Sequence, residues 1–105
     1  MANPHRGEVR LVLDGVAHEM RLTLGALAEL EAELHRESLI TVIERFESGD
    51  FRTRDVMAFV VAGLRGGGWR GTAQDLLSAE IEGGLVAASK AVGQLLVLAF
   101  GPSSA

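Results

Sequence analysis

The residues best suited to chemistry lie in one stretch, "LRGGGWRGTAQDLL", from Leu64 to Leu77. Gly66, Gly68 and Gly71 stand at G-x-G-x-x-G spacing, with Arg65, Trp69 and Arg70 among them. Glycines so spaced let backbone N–H groups close on a phosphate. A dinucleotide site, however, needs a buried strand before the motif and an acidic residue about 20 positions after it. Here the motif follows a helical pattern, and no βαβ unit surrounds it. A Walker loop fails too, because no Lys-Ser or Lys-Thr pair follows the glycines. The other reading is structural. Gly66 to Gly68 end one helix through left-handed conformations, and Thr72 caps the next, with Asp75 completing a capping box. Trp69 then plugs the turn. A tryptophan flanked by two arginines also has the composition of a protein-binding hot spot. Arg65, Trp69 and Arg70 are therefore candidate partner-binding residues.

Other reactive side chains form no constellation. His5, His18 and His35 are not spaced as i, i+4 pairs, and "HEMRL" lacks the second histidine of a zinc protease. With no cysteine in the chain, neither a thiolate metal site nor a disulfide is expected. No G-x-S-x-G marks a nucleophile elbow. Glu29, Glu31, Glu33 and Glu37 read as a solvated helix face. The expectation is a protein that is not an enzyme, with no catalytic residue, metal or cofactor.

At 105 residues the chain has the size of one domain, and 48% apolar residues make it globular. The net charge of −4 and the scattered arginines argue against nucleic acid as a ligand. The opening "MANPHRGEV" has no apolar signal core, which predicts that the chain is not secreted. The apolar run from Leu85 to Phe100 is broken by Lys90 and Gln94. It falls short of the about 20 residues that span a bilayer, so no membrane partner is expected.

These residues need elements to hold them. "EVRLVLDGVAHEMRL" predicts a hairpin turning at Asp14-Gly15, a dipeptide that accepts two positive φ values. The register then pairs Leu13 with Val16, Leu11 with His18 and Val9 with Met20. On the other face Val12 meets Ala17, Arg10 meets Glu19 and Glu8 meets Arg21. Thr23 caps a helix whose inward stripe is Leu24, Leu27, Leu30 and Leu34. Ser38 caps a second, carrying Leu39, Val42, Ile43 and Phe46 and ending near Gly49. Thr53 caps a third, apolar almost all round from Val56 to Leu64 and expected at the centre of the core. Thr72 starts a short fourth helix through Leu76, Leu77 and Ile81, stopped at Gly83-Gly84. The fifth, Leu85 to Phe100, turns Leu85, Ala88, Val92, Leu95, Leu96 and Ala99 to one side. Val97 and Leu98 leave it apolar on the other side as well, so both are candidate partner-binding residues. The fold expected is α+β, mainly α: a single domain with an N-terminal β-hairpin (9–23), about five packed helices (24–100) and a flexible tail (101–105).

"ANPHRGEVRLVLDG", "RLTLGALAELE", "GLRGGGWRGT" and "DLLSAEIEGG" together resemble the small tail-gene protein of bacterial gene transfer agents, a family classed with phage tail assembly chaperones. The resemblance covers nearly the whole chain, and "GGGWRG" is its most specific part. It implies a non-catalytic chaperone that binds the tape measure protein, with the major tail protein as a further partner. Such a protein would act in the bacterial cytoplasm and be missing from the mature particle. Two alternatives remain open: a structural component of the tail tube or its terminator, and a small regulator or nucleic-acid-binding protein. Self-association into a homo-oligomer is also left open.

Overall fold

Asp14 and Gly15 both take positive φ, 49° and 81°, the geometry of a two-residue hairpin turn whose twist matches its strands. The turn joins β1 (Val9–Leu13) to β2 (Val16–Met20) in the predicted register, Val9 opposite Met20 and Leu13 opposite Val16. The computed structural model describes residues 9–34 and 38–100. The expected Glu8–Arg21 pairing, Glu37 and the 101–105 tail lie outside the described residues. Five helices follow: α1 (Leu24–Leu34), α2 (Leu39–Ser48), α3 (Thr53–Gly66), α4 (Ala73–Ser78) and α5 (Gly84–Phe100). The fold is α+β and mainly α, as the sequence predicts.

A two-stranded ribbon is marginal in water, and this one is supported on several sides. Val9, Leu11, Leu13 and Met20 are buried where β1 meets α5 and β2 meets α3. The outer edge of β1 is taken up by the chain between α4 and α5. Glu82 N–H donates to the Val12 carbonyl (3.0 Å), Asp14 N–H donates to the Glu80 carbonyl (2.8 Å), and Leu13 bridges Ile81. The Asp14 carboxylate also accepts from Glu80 N–H at 2.9 Å. Ile81 therefore does not continue the fourth helix, as its spacing suggested. That helix stops at Ser78, and Ile81 pairs with a strand far away in sequence.

Helix starts follow the side chains that satisfy free N–H groups. Thr23 Oγ1 accepts from Ala26 N–H (3.0 Å), and Ser38 Oγ accepts from Thr41 N–H (3.1 Å). Thr72 and Asp75 exchange side-chain-to-backbone bonds in a capping box. The α3 start differs from expectation: Thr53 is the first helical residue, and Arg52 is the cap. Its backbone N–H is held by Asp55, which reaches back at 2.9 Å.

α3 contacts α1, α4, α5 and β2, and its Val56, Phe59, Val60 and Leu64 have no exposed area. α2 leans on it through aromatic rings: Phe46 stacks on Phe51 at 4.8 Å and meets Phe59 edge-on at 5.2 Å. Along α1 the buried residues are Ala26 and Leu30, while Leu24 is 86% exposed. At about 100° per residue, Leu24 lies some 120° from Leu30, beyond the edge of the buried stripe.

Each glycine of the triple run has its own reason to be glycine. α3 ends against β2, where Arg21 N–H donates to the Gly63 carbonyl at 2.8 Å. A Cβ on Gly66 would fall on the Arg21 carbonyl oxygen, and one on Gly67 on the Glu19 carbonyl oxygen. Gly67 has an ordinary negative φ of −88°. Gly68 alone in the run has positive φ, 108°. The expectation that all three act through left-handed backbone is thus corrected: two of them make room for a neighbouring chain segment.

Candidate functional site

Two concavities flank an ion pair between α1 and α3. Arg65 Nε donates to Glu29 Oε1 at 2.9 Å, and Arg65 Nη1 donates to the Gly71 carbonyl at 3.1 Å. The hydrogen bond to Glu29, with its charge, raises the already high pKa of the guanidinium. Arg65 thus ties α1, α3 and the 69–72 loop together.

On one side lies a pocket of about 400 Å³ lined by Thr23, Gly25, Glu29, Arg65, Trp69 and Arg70. Trp69 is half-buried against the core, and its backbone N–H donates to the Leu64 carbonyl at 2.9 Å. The indole covers Gly71 so closely that a Cβ there would strike the ring. Trp69 therefore does close the turn, while the two arginines lie beside it at the surface.

On the other side runs an open groove of about 860 Å³ between α1, α3 and α4. Its floor is one face of α3: Met57, Ala58, Val61 and Ala62. Leu30 and Ala32 of α1 line one wall, and Ala73 and Leu77 of α4 the other, with Leu77 67% exposed. The charged residues around it are Glu29 and Glu33 on α1 and Arg54 and Arg65 near the two ends of α3. Sequence reasoning placed this part of α3 at the buried centre and missed the groove. A helix apolar all round needs neighbours on every side, and here one side of it has none among the described residues.

α5 carries a second apolar surface. Val92, Leu95 and Leu96 are buried, as predicted, but Leu85 is half exposed and Ala99 is exposed. Val97 is 53% exposed, whereas Leu98 packs against the core. Consecutive helical residues point about 100° apart, so the two cannot share one outer face. Arg65, Trp69 and Arg70 come together in the fold. Val97 and Leu98 line neither concavity.

Among the described residues no three of His, Asp or Glu gather to hold a metal ion. His18 is half-buried at the hairpin edge. Asp55 is the one charged residue in the core of the described chain, and Arg45 and the Arg52 backbone occupy its carboxylate. No described helix is long and apolar enough to cross a membrane.

The class defined by fold and site is a small α+β domain with an uncovered, helix-lined apolar groove. Residues 6–101 match the family model described as "Phage tail tube protein, GTA-gp10". The chain belongs to that family, which puts it among the tail proteins of gene transfer agents and phages. Comparison with curated proteins and with solved structures gave no match.

Proposed function

We propose that this protein serves tail assembly as a structural component of the tail tube, and that it acts by docking to protein through the α1–α3–α4 groove. The observation that carries the reading is the uncovered apolar floor, Met57, Ala58 and Val61, between the α1 and α4 walls. An open apolar cleft of this kind gains by being covered, and the family description supports a partner in the tail. No bond-making group lines the groove floor.

A second reading is a chaperone that holds the tape measure protein until the tube forms around it. It is favoured by the groove's helical walls and open top, which suit one face of an amphipathic helix. This reading puts the protein in the cytoplasm and out of the finished particle.

Purified, tail-complete particles separate the two. A tube component is expected at a fixed ratio to the other tail proteins, measured by quantitative mass spectrometry. Loss of the protein from complete particles, with a soluble tape measure complex in the lysate, would support the chaperone. Its loss from both would reject docking in the tail altogether.

A further inference from the structure

α5 has an outer stripe that the other described residues leave uncovered. Val86 is 67% exposed, Val97 53% and Phe100 49%. Together with Gly93 they recur at spacings of seven, four and three residues, which is one face of a helix. Gly93 is the telling member. It lies inside a 17-residue helix, where glycine is a poor choice beside alanine. A Cβ at Gly93 would meet nothing within 4 Å, unlike one at Gly63, Gly66 or Gly67. Packing among the described residues therefore does not require this glycine. A flat spot on an exposed apolar stripe is what close approach by a second helix would require.

We infer that the α5 stripe of one copy seats in the α1–α3–α4 groove of a second copy. The chain supplies both halves of the contact. The groove takes none of its lining from α5, so the stripe and the groove are separate patches of one surface. The charges match as well. Lys90, the only lysine in the chain, is exposed on the outer side of α5 between Val86 and Val97. The α1 rim of the groove offers Glu33, one turn from the Glu29 that holds Arg65. Gly93 lets the incoming helix settle close to the α3 floor. Because the two patches differ, the contact is head-to-tail and propagates from copy to copy, closing into a ring or extending as a filament. This inference rests on the groove being a docking surface and names its occupant.

Sedimentation of the purified full chain tests it. The wild type is expected to pass beyond dimer as concentration rises through the micromolar range. Val97→Asp spoils the stripe and Leu77→Asp the groove wall; both residues are exposed, so each variant should keep its melting temperature. Each is expected to self-associate at least tenfold more weakly. Mixed in equal amounts they should form a dimer and nothing larger, because one sound stripe and one sound groove remain between them. Lys90→Glu should weaken assembly, and adding Glu33→Lys should restore it. Gly93→Ala should raise the melting temperature of the monomer while weakening assembly. A wild type that stays monomeric overturns the inference. So does a dimer indifferent to Leu77→Asp, which would indicate α5 pairing with α5. A monomer that still binds other tail proteins through the groove would reject self-docking and leave the proposed function standing.

Discussion

Asp55→Ala is expected to destabilise the protein by about 3–5 kcal/mol, the usual cost of removing one partner from a buried ion pair. Asp55 is 2% exposed. Its Oδ1 accepts from Arg45 Nη2 at 3.0 Å, and its Oδ2 accepts from Arg45 Nε at 3.1 Å and from Arg52 N–H at 2.9 Å. Loss of the carboxylate takes two hydrogen bonds and a charge partner from the Arg45 guanidinium and removes the acceptor of the Arg52 N–H at the helix cap. Against a total stability of about 5–15 kcal/mol, that is a large fraction. Replacing both Arg45 and Asp55 with leucine should recover part of the loss, since apolar side chains of similar volume remove the cost of burying a charge.

The same group gives a pH signature. Burial pushes the Asp55 pKa up, but the Arg45 and Arg52 hydrogen bonds and the two positive charges outweigh it, and the net shift is downward from 3.8. A carboxyl with a lowered folded pKa contributes stability that is complete above its unfolded value and lost as pH falls through the folded one. In urea titrations, the gap between wild type and Asp55→Asn should be constant near neutrality and narrow as the medium becomes more acid than the ordinary carboxylate value. A gap unchanged into strong acid would mean that the ion pair contributes nothing.

Gly67→Ala is expected to cost about 3 kcal/mol or more, at the top of the range for overpacking. The added methyl would meet the Glu19 carbonyl oxygen, which belongs to a paired strand and cannot turn aside as a side chain can. α3 would have to lift from β2, straining the Arg21–Gly63 hydrogen bond beside it. Gly63→Ala should cost less, because its methyl would meet the ends of the Leu95 and Met20 side chains, at 2.7 and 3.0 Å. Chemical denaturation of both variants gives the order, and a Gly67→Ala protein as stable as wild type would show that α3 does not press on β2 this closely.

The parts of the fold that were legible are those governed by near neighbours in sequence. Asp14-Gly15 specified the hairpin because two positive φ values have few other residue choices. Ser38 and Thr72 marked helix starts because their hydroxyls reach N–H groups three residues on. Thr53 misled by its type. Asp55 was the better guide, since an acidic residue at the third helical position implies a cap at Arg52. What depended on distant contact was hidden. Ile81 continued a helical spacing yet pairs with Leu13, and Gly66 and Gly67 answer to carbonyls on β2. Of the candidate site, the Arg65–Trp69–Arg70 cluster was visible as composition. The groove was not, because the apolar residues of α3 look the same in sequence whether or not anything covers them. Val97 and Leu98 show the same limit, one exposed and one packed on the core.

The most direct measurement is a count of tailed particles from cells producing Leu77→Asp in place of the wild-type protein. The groove account predicts at least a tenfold loss of complete tails by electron microscopy, with the purified variant melting where the wild type does. Normal tails from a folded Leu77→Asp protein would contradict it.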